Sequence, residues 1–497
     1  MWLLVAGAFA LRFLLIPLDL YRSTDFEVHR NWLAVTHSLP LSKWYFEETS
    51  QWTLDYPPAF AYFEWLLSKA AAAVDPGMLV VNNLEYASPE TVFFQRISVI
   101  FGDLVLLAGT WRLGGVKAAA LVLCNSALLL VDHVHFQYNG MLLGILLLSV
   151  AEVEKGRTHL GAALFCLLLS MKQIFLYVAP VYFVFLLRAH CAASFAPLGL
   201  KLSKLVSLGM VVILTFGSLL APVLVTGQAA QLVKRLFPFG RGLTHAYWAP
   251  NVWAVYNSLD RVVDKLGFGS QSGQSSTAGF AEVYESSALW TVPPKATFLL
   301  TLLAYCPLMA VIWRRTRPNS TEATAFLLYV ALGCAISFSF GWHVHEKAII
   351  MVTVPLLVAA ARSNSQALSS TATALSAVAT FSVMPLLPDQ PKETFLKWLL
   401  FVGGCCVEAS VLRPTRPAAT PGEAAAQGGY LQPLGLGKLC PGWLVALGYL
   451  ALGVYRDFGG HRLIFKGRME FLPLLLTSDF CVVLVLGSFL QMFALLP

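Results

Sequence analysis

The chain has 497 residues, of which 57% are apolar and only 12% charged, with a formal net charge of +7 and a mean hydropathy of +0.68. A soluble domain carries roughly 25% charged residues, so this composition excludes a soluble globular fold. The basic residues lie scattered in short loops between apolar runs, which excludes a nucleic-acid-binding patch. The nine cysteines form no CxxC pair or loop cluster, which argues against a disulfide framework or a thiolate metal site.

Apolar runs recur along the whole length near 2–18, 92–111, 116–131, 140–152, 159–171, 173–188, 203–226, 295–313, 323–341, 347–361, 367–388, 394–412, 438–455 and 470–496. They are continuous rather than alternating, which predicts about fourteen transmembrane helices in an all-α polytopic protein, read as one domain over 1–497. The first run lacks a cleavage site of small residues and reads as a retained span.

Between the spans, basic residues fall in alternate short loops: Arg112 with Lys117, Lys155 with Arg157, Arg188 with Lys201 and Lys204, Arg314, Arg315 and Arg317, and Arg413 with Arg416. The positive-inside rule places these loops in the cytosol. The loop 19–91, with ten carboxylates against four Lys or Arg, then faces the opposite side, as does the second large loop, 227–294. Two stretches read as flexible by composition: Gly267 to Gly279, and the Pro/Ala/Gly-rich cytosolic 413–437. The sequon at Asn319 falls in a cytosolic loop and is expected to stay unglycosylated.

Four polar-aromatic clusters share the non-cytosolic side: Ser23 to Trp32 with Leu54 to Pro58, Asp132 to Asn139, Lys234 to Asp260, and Phe340 to Lys347. Ionisable groups beside a membrane are costly and tend to be functional. Their concentration on one side favours a surface-facing enzyme over a carrier, which would place charges in mid-span on several helices. Asp103 is the clearest mid-span charge, and it also reads as a buried helix-packing residue.

Thr24-Asp25-Phe26-Glu27 predicts a helix start, with Thr24 as N-cap and Glu27 as its capping-box partner, running toward Ser38 and stopping before Pro40. Both acids suit a helix dipole. Asp25, ionised at a helix N-terminus, also suits a general base. Asp55-Tyr56-Pro57-Pro58 predicts a rigid turn into an aromatic helix from Phe60 to Leu67. The rings of Trp44, Tyr45, Trp52, Tyr56, Tyr62, Phe63 and Trp65 suit either sugar stacking or the membrane interface.

The runs His133-Val134-His135 and His343-Val344-His345-Glu346 suggest zinc, but HxH alone supplies too few convergent ligands, so no metal is expected. His343, His345 and Lys347, with Arg235 and Arg241, suit a lipid phosphate instead. The segment from Arg235 to Trp253, with His245, Trp248 and Asn251, combines the cationic, aromatic and amide groups that a sugar-phosphate site requires.

Taken in order, these clusters resemble the dolichyl-phosphate-glucose-dependent glucosyltransferases of the endoplasmic reticulum, in the GT-C superfamily. The resemblance rests on Ser23 to Glu27 with His29-Arg30-Asn31-Trp32, Trp52 to Pro58, His133 to Gly140, Arg235 to Phe239, and Phe340 to Lys347, and spans roughly 20–390. The run His245-Ala246-Tyr247-Trp248-Ala249-Pro250-Asn251, with Trp342 before His343, looks like the branch that adds the second glucose to the lipid-linked oligosaccharide.

The resemblance implies a GT-C-type fold with large lumenal loops, 19–91 being catalytic, in a multi-pass endoplasmic reticulum protein with a lumenal site. It implies an inverting α-1,3-glucosyltransferase using dolichyl-phosphate-glucose and a monoglucosylated dolichyl-pyrophosphate-linked glycan. Its partners would be these lipids and the membrane, with no nucleic acid, no metal and no cofactor beyond the donor. By family match Asp25 is the base. Glu27, His29, Arg30, Asp55, Tyr56, His133, His135, Gln137, Arg235, Arg241, His245, Trp248, Asn251, His343, His345, Glu346 and Lys347 are the expected substrate-binding residues. The chain departs from the family in a very short connection from Trp111 to Lys117 and in the odd composition of 413–437. The alternatives are the sister enzyme that adds the first glucose, a lipid-linked sugar flippase or transporter, and an inactive scaffold.

Overall fold

A computed structural model describes residues 1–18, 20–192, 199, 201–237, 242–245, 248–268, 288–319, 322–413 and 442–496. The flexible stretch expected at 413–437 lies, but for its first residue, outside the described residues, as does most of 267–279. The protein is an all-α polytopic membrane protein. Among the described residues, extended pairing is limited to two isolated bridges, Thr244 with Val344 and Trp248 with His345.

Eight described helices are long and apolar enough to cross a membrane, and the shorter apolar helices follow the remaining predicted runs. The helix Leu202–Val225 is strongly apolar, yet only 6% of its most apolar window is buried inside the protein. An apolar surface left uncovered over that length is a lipid-facing one.

The chain divides into two compact units. The first contains α1 (Trp2–Leu15), α2 (Thr24–Ser38), α3 (Pro58–Val74), α4 (Pro89–Leu123), a π-helical turn (Leu129–Phe136), α5 (Asn139–Glu154), α6 (Thr158–Met171), α7 (Gln173–Cys191), α8 (Leu202–Val225) and α9 (Ala229–Leu236). The predicted second span and the first half of the third merge in α4, interrupted only at Gly114 and Gly115, where Gly115 takes a left-handed φ of 61°. A two-residue break is all that the expected short connection contains, and it works because glycine adopts that φ without steric penalty.

Two close approaches set this unit. A Cβ on Gly109 would lie 2.6 Å from the Gly144 carbonyl oxygen, and one on Gly144 would lie 2.5 Å from the Leu106 nitrogen. Hence α4 and α5 touch backbone to backbone, the small-residue contact that favours helix association in lipid. Nearby, Arg12 Nε meets Asp103 Oδ2 at 2.5 Å and His133 Nε2 lies 2.7 Å from the same oxygen. Arg12 Nη1 also donates to the carbonyls of Ala8 and Leu123, each at 2.9 Å. The mid-span acid is thus a helix-packing group, bound to α1 and to the π-helical turn.

Leu33 of α2, Ala71 of α3, Met78 and Leu79 of the following turn and Phe94 of α4 form one buried cluster. The predicted aromatic helix is longer than expected, Pro58–Val74, with Pro58 at its start, where a missing N–H is tolerated.

The second unit includes α10 (Val252–Val263), α13 (Ile350–Arg362), α14 (Gln366–Val383), α15 (Pro391–Val411), α16 (Gly442–Asp457), α17 (Gly460–Phe465) and α18 (Leu472–Ala494). The helices α11 (Pro294–Arg315) and α12 (Ala323–Phe340) each have residues in both units. Buried polar knots stabilise it: Lys397 Nζ meets Asp457 Oδ1 at 2.8 Å, and Ser376 donates to Glu408 at 2.6 Å. The buried charged groups in both knots are partnered, as an apolar surrounding requires.

Candidate active site

In the first unit, the site is built where α2 begins. The expected capping box is not formed. Thr24 is the first helical residue rather than the N-cap, Ser23 holds that position, and no side chain caps the helix. Ser23 Oγ instead donates to the His135 carbonyl, tying the helix start to the π-helical turn. Glu27 turns to Arg30, whose Nη2 and Nε approach it at 2.6 and 2.7 Å. A bidentate guanidinium outcompetes one backbone N–H for a carboxylate. Arg30 is fully buried and also donates to Met78 O at 3.0 Å, so this pair holds α2 against the loop after α3.

Asp25 has a different environment. Gln137 Nε2 donates to its Oδ2 at 2.7 Å, and His135 Nε2 lies 3.1 Å from the same oxygen. A quarter of the Asp25 side chain is exposed, so the carboxylate is held yet reachable. Phe136, between the two partners, has a φ of 88°, an uncommon backbone state for an aromatic residue. The left-handed step accompanies the convergence of residues 135 and 137 on one carboxylate. The predicted HxH pair is therefore split, with His133 directed to Asp103 and His135 to Asp25.

His29 forms a buried pair with Glu64, Nδ1 to Oε1 at 2.7 Å. Burial pushes the Glu64 carboxyl above its ordinary range, and the His29 contact only partly offsets it. The His29 ring meets Trp32, Tyr56 and Phe60, forming an aromatic wall. Of the aromatic residues singled out from sequence, Trp44 and Tyr45 are buried core, whereas Trp52 and Trp65 stay exposed. Asp55 contributes its carbonyl, which accepts from Gln173 Nε2 at 2.9 Å. Arg235 braces the loop 45–53, meeting Thr53 Oγ1, Tyr45 O at 3.3 Å and Glu48 Oε1 at 2.9 Å.

Two residues were missed from sequence. Glu64 counted only as one loop acid. Lys172 donates to Asn139 Oδ1 at 3.0 Å and its Nζ lies 5.0 Å from the Tyr56 ring centre. Its signal was present: a lone lysine between two apolar runs on the non-cytosolic side runs against the charge rule.

In the second unit, residues 343–346 meet 242–245 and Trp248. His343 N donates to Leu243 O at 2.9 Å, and His343 Nδ1 lies 2.8 Å from Gly242 O. The His245 and His345 ring centres are 3.8 Å apart, and His245 Nδ1 lies 3.5 Å from Glu346 Oε2. Glu346 is buried, and neither of its oxygens has a hydrogen-bond partner within normal distance among the described residues. Burial opposes its ionisation, but His245 and Lys347 outweigh that and hold its carboxyl below the usual range.

One ligand atom each from His245, His345 and Glu346 lies within 4.8 Å of the others, a spacing that can admit a cation. Asn251 serves structure, accepting from Trp253 N at 3.0 Å and donating to Phe338 O at 2.9 Å. The Arg261 guanidinium lies 4.9 Å from the Trp248 ring. Arg241 lies outside the described residues.

A family model described as the ALG6, ALG8 glycosyltransferase family matches residues 8–492. The chain belongs to this family. Membership makes it a glycosyltransferase, and its helical architecture agrees with the GT-C type. It is 42% identical, over 98% of its length and 93% of the relative's, to a Drosophila melanogaster protein named probable dolichyl pyrophosphate Glc1Man9GlcNAc2 alpha-1,3-glucosyltransferase. A Bos taurus protein of the same name without "probable" is 39% identical over 99% of this chain and 94% of its own. The Arabidopsis thaliana protein so named is 46% identical over 80% of this chain and 79% of its own.

Proposed function

We propose that this glycosyltransferase moves glucose from dolichyl-phosphate-glucose to the terminal glucose of a monoglucosylated, dolichyl-pyrophosphate-linked oligosaccharide, in α-1,3 linkage. The relatives' names support this acceptor. The single structural observation behind the mechanism is the partly exposed Asp25 carboxylate, fixed by His135 and Gln137.

Asp25 takes the proton from the acceptor 3-hydroxyl as that oxygen attacks C1 of the donor glucose. The bond from C1 to the phosphate oxygen breaks, and dolichyl phosphate leaves with the electron pair. One in-line displacement turns a β-linked donor into an α-linked product, so one base suffices. Cationic groups neutralise the departing phosphate, with no metal in the reaction. The site faces the endoplasmic reticulum lumen in this reading.

The test is glucose transfer by purified protein in detergent, with donor and separate acceptors bearing zero or one glucose. Transfer to the monoglucosylated acceptor alone is expected, with Asp25→Asn lowering it by about 10²–10⁴-fold. Transfer to the unglucosylated acceptor would move the protein to the sister branch. Full activity in Asp25→Asn would remove the base from the mechanism.

A further inference from the structure

The hydrogen bonds behind Asp25 run in one direction, and chemistry fixes that direction from both ends. Lys172 is an ammonium and can only donate, so the oxygen of Asn139 faces it, at 3.0 Å. Asp132 accepts at both oxygens, Oδ1 from Asn139 Nδ2 at 2.8 Å and Oδ2 from Gly140 N at 2.6 Å, although burial pushes this carboxyl up to about 7. The other Asn139 Nδ2 hydrogen then goes to Gln137 Oε1, 2.6 Å away. With its oxygen engaged, Gln137 has only its amide N–H to offer Asp25, at 2.7 Å. Neither amide can flip without placing two acceptors or two donors together.

The surroundings make this order consequential. The buried Tyr56 hydroxyl is pushed well up by burial first, and then by the carboxylates of Asp55, Asp25, Asp132 and Glu64. Lys172, beside the same ring, brings positive charge to this acidic neighbourhood. On the Asp25 helix itself, Glu27 is engaged by Arg30, and His29 by Glu64. His135, whose ring also approaches Tyr21, is a titratable neighbour of Asp25 in the turn.

We propose that Lys172 and Asn139 are positioning residues which, through Gln137, present a fixed N–H donor to Asp25 and keep its carboxylate ionised and aimed. This rests on the reading of Asp25 as the general base. The polarised chain is a device for holding one protonation state.

The experiment measures initial rates of glucose transfer against pH for full-length wild type, Lys172→Met, Lys172→Arg, Gln137→Glu and Asp25→Asn, with melting temperature recorded for each. A base loses activity as it takes up its proton at low pH, and weakening the donor to it moves that acid limb upward. Lys172→Met is expected to lower kcat about 10-fold and raise the limb by about one pH unit, with donor KM changed less than about 3-fold. Lys172→Arg should restore most of both. Gln137→Glu should raise the limb further, because two adjoining carboxylates share a proton, and it carries the test alone if Lys172→Met does not fold.

An unmoved limb in folded Lys172→Met and Gln137→Glu, with Asp25→Asn inactive, would overturn the proposal and leave the base in place. A raised donor KM with an unmoved limb in Lys172→Met would also overturn it, making Lys172 a phosphate-binding cation. An active Asp25→Asn would remove the base itself, a result distinct from both.

Discussion

The buried cluster of Arg12, Asp103 and His133 predicts an asymmetry between its two charged partners. In Asp103→Leu, the Arg12 guanidinium stays buried with the carbonyls of Ala8 and Leu123 and His133, and no carboxylate. Arginine cannot shed its proton, so the loss should be about 3–5 kcal/mol, as when one partner of a buried pair is removed. In Arg12→Leu, Asp103 keeps the His133 contact at 2.7 Å and can neutralise itself by taking a proton. That change should cost only about 1–3 kcal/mol. The double variant removes both charges and should be more stable than Asp103→Leu alone. The assay is thermal unfolding of each purified variant in detergent, with glucose transfer measured well below its melting temperature. Transfer should track the folded fraction. Equal or greater damage from Arg12→Leu, or additive losses in the double variant, would refute this account. An Asp103 variant that is fully folded yet inactive would instead give Asp103 a part in glucose transfer itself.

Gly140→Ala should lower both stability and transfer, because its Cβ would overlap Asp103 Oδ1 and press on Asp132 Oδ2 at 3.3 Å; overpacking of this kind costs about 1–3 kcal/mol, read as a lowered melting temperature. Asp75 accepts from Ser88, Gly77 and Thr91, and these bonds, Ser88 first, hold its carboxyl below the usual range. The stability it contributes is present above its unfolded pKa and is lost as pH falls through its depressed folded pKa. Asp75→Asn should therefore melt earlier at pH 7, with the gap closing below about pH 4. EDTA should leave transfer unchanged; abolition by EDTA, with rescue by a divalent ion that fails in Glu346→Gln, would assign a metal to His245, His345 and Glu346.

Much of the architecture was legible because a membrane span is a long, local signal. The boundaries of α8, α11 and α12 follow the predicted runs closely, since each needs only continuous apolar sequence. His135 and Gln137 stood out as site residues because they sit in one short run whose chemistry contrasts with its apolar flanks, but as substrate contacts; their convergence on Asp25 is seen only in the structure. Longer-range pairing was not legible. Arg12 and Asp103 are separated by 91 residues, and nothing local couples them. The capping box failed although its competitor was local: Arg30 stands three residues after Glu27 on the predicted helix, a spacing that already brings the two together. Arg235 carried the right charge for a phosphate, but its contacts with Tyr45, Thr53 and Glu48 follow from tertiary packing. Lys172 was overlooked because a single lysine between spans reads as punctuation until its neighbours are known.

The glycine contact between α4 and α5 has a mechanical consequence for catalysis. Gly144 lies five residues after Asn139, so at the helical rise the two are about 7.5 Å apart along one rigid rod. The backbone contact at Gly144 acts as a fulcrum placed very near the working end. A side chain there would lift the rod by its own thickness, and a short lever arm would pass nearly all of that displacement to the amide at its tip. Hydrogen bonds tolerate only a few tenths of an ångström. The tolerance of the catalytic end is therefore set inside the membrane, by two residues with no side chain.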